Sequence, residues 1–395
     1  MNAKPDLEQV PSAPIATPDK SAAKRVGRIL SFDFWRGLAL ITIFINHIPG
    51  NPLERFTSRN FGFSDASEVF VFLAGAAAGL AYFRRFQSGQ RLLQTLKIWM
   101  RSFHLYSAHI VLVIAMAAIM GFAAQQTGDV RLLEMMHFDV FVASPVQGLI
   151  GLATLGLQPS YLNILPLYIV LIAVSPVLIL IASKSVRWML ALSGALYVGT
   201  QLLALKLPSY PLPDGWFFNP LAWQFIFAIG LAVGISLVRG APLPRNRLLF
   251  ALAAFYTVMA CIWIKAGFYI KWDLWPLPRF MWEFDKTNLL LPRLLHVLAL
   301  AYLASYLPME RWLRSTAYLR PVILMGQHSL PVFCFGTVLS LVGQILRMVG
   351  SGDPTTDVVM IVTGILLQMG LAGVLEWYRV GLNQRPQGQV AASAG

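Results

Sequence analysis

The chain has 395 residues, 57% of them hydrophobic and only 12% charged, with a mean hydropathy of +0.63. Soluble domains carry about 25% charged residues, so these values exclude one and indicate an integral membrane protein. The formal net charge of +13 requires no nucleic-acid partner, because membrane proteins concentrate Lys and Arg in their cytoplasmic loops.

Residues 1–27 are rich in Pro, Ala, Ser and Lys and lack the apolar core of a signal peptide. They predict a disordered, basic cytoplasmic N-terminus. A transmembrane domain is expected over 28–380 and a cytoplasmic tail over 381–395. Ten apolar runs reach the roughly 17–25 residues that crossing a bilayer takes. They lie near 31–49, 66–83, 100–122, 162–182, 188–206, 219–238, 247–268, 287–307, 321–346 and 357–378. They predict an all-α, polytopic fold of about ten transmembrane helices with both termini cytoplasmic. That placement puts most of the 31 Lys and Arg on the cytoplasmic side. The larger segments 50–65, 123–161, 207–218 and 269–286 then lie outside.

The first run reads "FDFWRGLALITIFINHIPG" over 32–50. Ionisable residues in hydrocarbon are costly and usually functional. On a helical wheel Arg36, Leu40, Ile43 and His47 share one face. Asp33 lies one turn before Arg36, about 60° round the helix. Arg36 and His47 are roughly 16 Å apart along the axis, in opposite leaflets. Two readings stand. Asp33 and Arg36 anchor the helix end beside an interfacial His47, or the face is a conduit, with a cation for an anionic ligand inside and a nucleophile or base outside.

At the start of the second run, Asp65 and Glu68 either cap the helix or orient His47, to which the connection is short. Gly75 and Gly79 in "AGAAAGLA" form a small-xxx-small face for close packing, or leave a narrow slot for a ligand arm. Lys97 and Arg101 share a face of the next helix, with His104 one turn further. Positive-inside charge accounts for Lys97. Arg101 and His104 reach further into the span and, with Arg36, form an anion pocket.

Cys261 and Cys334 fall in apolar runs without metal-ligand spacing and read as buried thiols. Trp272, Trp275 and Trp282 lie in the outer segment "YIKWDLWPLPRFMWEFDK". They form an interfacial aromatic belt or stack on sugars. Arg293 and His296, one turn apart at the outer start of the eighth run, snorkel to the interface or hold an anionic substrate group or oxyanion. His328 in "GQHSLP" is too deep to meet His47 and suits a structural or cofactor-side role. No HExxH, Cys cluster or nucleotide-binding Gly loop occurs, and no metal is expected.

The stretches "SFDFWRGLALITIFINHIPGN", "RNFGFSDASEVFVFLAGAAAGLAY" and "LMGQHSLPVFCFG" together resemble the OpgC family, within the wider group of transmembrane acyltransferases. The resemblance implies a ten-helix enzyme of the bacterial inner membrane. It would move an acyl group, succinyl in OpgC proteins, from cytoplasmic acyl-CoA to a periplasmic glycan such as an osmoregulated periplasmic glucan. Acyl-CoA is then a co-substrate, and no cofactor is tightly bound. In the wider group the first helix ends in a histidine essential to transfer, matched here by His47. A basic motif, often two close arginines, follows the second helix and is matched less closely by Lys97 and Arg101. The expected partners are acyl-CoA, the glycan and the bilayer; a homo-oligomer is allowed. The rival readings are a transporter or flippase for a glycan or anionic small molecule, and a non-catalytic scaffold of glucan synthesis. A lone outer histidine near acids favours the enzyme.

Overall fold

A computed structural model describes residues 28–241, 243–268, 277–350 and 352–383. The N-terminal segment 1–27, most of the tail and both Trp272 and Trp275 lie outside the described residues. Among the described residues all regular structure is helical: α1 (Leu30–Asn46), α2 (Ala66–Gln87), α3 (Arg91–Thr127), α4 (Arg131–Met135), α5 (Asp139–Ala143), α6 (Pro145–Ala153), α7 (Ile164–Lys184), α8 (Val186–Leu202), α9 (Pro220–Val238), α10 (Arg247–Lys265), α11 (Leu291–Ser305), α12 (Met309–Ser315), α13 (Arg320–Gln327), α14 (Ser329–Val349) and α15 (Pro354–Asn383).

Every predicted run is occupied by helix. Seven helices among the described residues are long and apolar enough to cross a membrane: α2, α3, α7, α9, α10, α14 and α15. The chain is therefore a multi-pass membrane protein. The helices α1 and α8 have 17 residues each and α11 has 15; α11 and α12 form a pair bent by 64°.

The start of α2 is set by Asp65, whose Oδ1 accepts from the Ser67 amide at 2.8 Å while Glu68 Oε2 accepts from the Asp65 amide at 2.9 Å. This is a complete capping box. Along its length α2 packs on α9 backbone to backbone. A Cβ at Gly75 would strike the Phe227 carbonyl, and one at Gly230 or Gly234 the carbonyl of Phe72 or Ala76. The small-residue face thus serves close helix packing, and α9 fills the alternative slot. Likewise α13 lies against α1, with Gly326 on the Asp33 carbonyl and Gly37 on that of Val322. Glu310 of α12 accepts from the Ser31 amide at 2.8 Å, satisfying a free donor at the start of α1.

The third apolar run begins at residue 100, with Arg101 just inside it and reaching into the span. The helix α3 instead begins at Arg91 and runs 37 residues, about 55 Å at the α-helical rise. The Trp99 indole donates to the Ala173 carbonyl at 3.1 Å, and Ser102 Oγ to that of Ile169 at 3.0 Å. Arg101 therefore stands beside the interior of α7, nearer Ile164 than Lys184.

Candidate functional site

At the end of α1, Asn51 Nδ2 donates to the carbonyls of Ile45 at 2.9 Å and Ile48 at 2.6 Å. Thr57 Oγ1 donates to Asn46 Oδ1 at 2.8 Å. These bonds close the turn after the helix and satisfy carbonyls the helix leaves free. From the other side α14 grips the same turn: Gln344 donates to the His47 carbonyl and Arg347 to that of Pro49. Arg347 is itself held 3.0 Å from the buried carboxylate of Asp357 on α15. The backbone of His47 is thus fixed by three helices.

The Tyr161 ring lies 4.9 Å from the His47 ring, centroid to centroid. Tyr161 takes φ +67°, a left-handed conformation that bulky residues rarely adopt. Below the histidine, Leu40, Ile43 and His47 line a small pocket with Phe333 and Thr337, with room for about one water molecule. The α1 face predicted from the helical wheel is therefore turned into the bundle. His47 Nδ1 is buried and has no hydrogen-bond partner among the described residues.

Neither acid orients His47 by hydrogen bonding, contrary to expectation. Glu68 is 0% exposed, with Oε1 2.7 Å from Arg293 Nε and 2.5 Å from Nη2. Asp65 Oδ2 lies 2.6 Å from Lys286 Nζ and 3.6 Å from Arg293 Nη2. Burial works against the Asp65 charge, but Lys286 and Arg293, with the Ser67 hydroxyl, hold its carboxyl well below the usual range. The acids are taken up by cations from distant sequence, although Asp65 and Lys286 lie within electrostatic reach of His47.

The same cluster engages Arg293, predicted to meet substrate. His296 is also enclosed: Nδ1 accepts from the Ser64 amide at 3.3 Å and lies 2.7 Å from Ser64 Oγ. A Cβ at Gly62 would strike its ring. His296 therefore pins the loop before α2. Trp282 is half-buried and donates to the Leu277 carbonyl at 3.2 Å.

Deeper in the bundle, Arg36 makes only long contacts, 3.4 Å to the Leu73 carbonyl and 3.8 Å to Asp33. Arg28 takes Asp33 at 2.5 Å, so the anchoring pair predicted as Asp33–Arg36 is principally Arg28–Asp33. The Arg36 side chain is nonetheless only 15% exposed. Arg101 lines a second small pocket with Phe70, Tyr168, Ser329 and Phe333. Phe70 and Leu73 are one turn apart on α2, so both arginines address the same stretch of that helix. No hydrogen bond or ion pair engages Arg101 among the described residues. Arg101 is exposed, and its guanidinium is free to meet an anion.

Lys97 and His104 do not join them. Lys97 lines neither pocket, and His104 Nδ1 lies 2.6 Å from the Met100 carbonyl of its own helix. His328 Nε2 is 3.0 Å from Glu376, which also holds Arg379 at 2.8 Å. That network ties the start of α14 to α15. Cys261 and Cys334 are both free.

Sequence reading missed Tyr161, Lys286, Gln344, Arg347 and Asp357. Arg347 and Asp357 carried a usable signal, since each is ionisable and lies in or beside an apolar run. Tyr161 and Gln344 carried none.

Fold and site together define a multi-pass membrane protein whose buried polar residues face the inside of its helix bundle. The profile of the OpgC protein family matches residues 28–380, nearly the whole chain, and the chain belongs to that family. Membership implies an acyltransferase-like role connected with osmoregulated periplasmic glucans. No curated protein and no solved structure is detectably similar to the chain.

Proposed function

We propose that the protein is an O-acyltransferase of the bacterial inner membrane. It moves an acyl group, succinyl by family, from cytoplasmic acyl-CoA to a periplasmic glycan. The observation that carries this reading is the inward face of α1, which has an under-paired Arg36 toward one end and an unpartnered His47 nitrogen over a small pocket at the other. The CoA phosphates bind Arg36, and Arg101 adds positive charge from the wall of the second pocket. The pantetheine arm covers the roughly 16 Å rise to His47. There His47 either takes the acyl group on a ring nitrogen, releasing CoA before a sugar hydroxyl attacks, or removes the hydroxyl proton as the oxygen attacks the thioester carbonyl. In both routes the products are the glycan ester and CoA thiol.

Multiply charged CoA does not cross hydrocarbon, so only the acyl group changes sides. In sealed, oriented vesicles, acyl-CoA on the cytoplasmic face is expected to acylate a glycan confined to the other face. Free CoA returns to the donor side. A requirement for donor and acceptor on one face refutes the reading, and transport of intact donor or glycan favours a transporter.

Neutralising either arginine is expected to weaken equilibrium CoA binding. Loss of a charged hydrogen bond costs about 1.5–3 kcal/mol, roughly tenfold to a hundredfold in affinity. Arg101→Gln is the cleaner variant, because it breaks no ion pair. Arg36→Gln is also interpretable, since Arg28 keeps Asp33 neutralised. Titration calorimetry showing unchanged affinity in both variants contradicts the anion site.

A further inference from the structure

The acids nearest His47 in sequence are taken up by Lys286 and Arg293, so neither orients its imidazole. The small pocket beneath the ring brings in two buried polar groups from other helices. Thr337 of α14 is 2% exposed and Gln368 of α15 is 1% exposed, and both line the pocket with His47. The rest of the lining is Leu40, Ile43, Phe44, Phe333 and Gly336, which offer no polar side-chain atom.

The bonds these two residues already make decide what they can offer. Gln368 Nε2 donates to the Gly364 carbonyl at 3.2 Å. A carbonyl only accepts, so the amide oxygen lies at the other end, toward Gly336, where a Cβ would come within 2.6 Å of it. Thr337 Oγ1 donates its one proton to the Phe333 carbonyl at 2.8 Å. Gln368 Oε1 and the Thr337 lone pairs are therefore acceptors that no donor meets among the described residues. The pocket has room for about one water molecule, and a buried water makes about three hydrogen bonds to groups of this kind.

We propose that Gln368 and Thr337 are positioning residues for His47, acting through one bound water. The inference rests on the acyl-transfer reading and deepens it. The water gives one hydrogen to Gln368 Oε1 and the other to Thr337 Oγ1. Both its protons are then used, so its bond to the imidazole is accepted from a ring N–H. Neutral imidazole carries one N–H and one lone pair. The nitrogen over the pocket is thereby held protonated. The opposite nitrogen keeps the lone pair that attacks the thioester or takes a hydroxyl proton. In a serine-type triad a carboxylate fixes the tautomer in this way. Here neutral groups do so, in an interior where an added carboxylate would be an uncompensated charge.

The test uses the full chain in detergent, isotopically labelled at the histidine nitrogens, with the His47 signals assigned by their loss in His47→Ala. Three variants are compared, each checked for monodispersity. Gln368→Met keeps the shape and removes the amide, Thr337→Val removes the hydroxyl, and Thr337→Ser restores it. The wild type is expected to show neutral His47 as a single tautomer, and Gln368→Met and Thr337→Val a mixture of two. In those two variants kcat should fall about tenfold, the loss of one hydrogen bond. KM and CoA affinity should stay within about twofold, and Thr337→Ser should recover both the tautomer and the rate. An unchanged tautomer in both Gln368→Met and Thr337→Val overturns the proposal whatever the rates. A Thr337→Ser variant as slow as Thr337→Val makes the position core packing and overturns it equally. A wild type that binds acyl-CoA without turnover overturns the transfer reading, and the tautomer ratio still decides the positioning role.

Discussion

His47→Ala is expected to lower acyl transfer by roughly 10²–10⁴-fold, the usual contribution of a general base, while leaving the protein folded and able to bind CoA. The structure explains why the variant is clean. The ties that hold this turn run through backbone carbonyls, with Gln344 on His47 and Arg347 on Pro49. Alanine keeps all of them. Among the described residues the imidazole Nδ1 has no partner to strand, and the ring lies against Tyr161. Thermal stability in detergent and CoA affinity should therefore match the wild type. Transfer within about tenfold of the wild type would remove His47 from the chemistry, and loss of stability would make it a packing residue. Gln344→Ala provides a graded comparison. It frees the His47 backbone without touching the ring, so it should lower turnover with donor affinity preserved.

The α1 site was legible because charge is scarce in that run and the helical period is regular. Arg36, Leu40, Ile43 and His47 could be placed on one face from spacing alone, and that face does line a pocket. The packing role of Gly75 and Gly79 was legible for the same reason. Its partner was not, because Gly230 and Gly234 on α9 carry the same spacing and nothing local pairs one stripe with another. The full length of α3 was not legible. Hydropathy locates the apolar part of α3, but the helix continues through polar residues back to Arg91 and is set in height by bonds to α7. Those bonds set Arg101 beside the middle of α7, with its side chain still exposed. The acids misled for a related reason. Asp65 and Glu68 are close to His47 in sequence, yet the cations that claim them come from 221 and 225 residues away. Such partnerships follow from tertiary packing, and local spacing carries no trace of them.

Arg293→Met is expected to destabilise the protein by about 3–5 kcal/mol, the usual cost of breaking a buried ion pair from one side. Glu68 is fully buried and its Oε1 faces Arg293 alone, so the substitution leaves its charge uncompensated. Lys286 remains on Asp65 and cannot serve both acids with the same geometry. The second variant, Glu68→Gln with Arg293→Met, removes both charges and keeps an amide oxygen to accept the Asp65 N–H that completes the α2 cap. Replacing both members of a buried pair is often neutral or stabilising, so the double variant should recover most of the lost stability. A double-mutant cycle on thermal unfolding reads this as a coupling of about 2 kcal/mol or more, within the range seen for contacting residues. Activity then separates two roles. If Arg293 only neutralises Glu68, transfer returns with stability. If Arg293 also holds a substrate carboxylate or an oxyanion, the double variant is folded and still defective, and a neutral acyl donor distinguishes those two by restoring the rate in the first case alone. A single Arg293→Met variant as stable as the wild type would show that Glu68 does not carry a stranded charge.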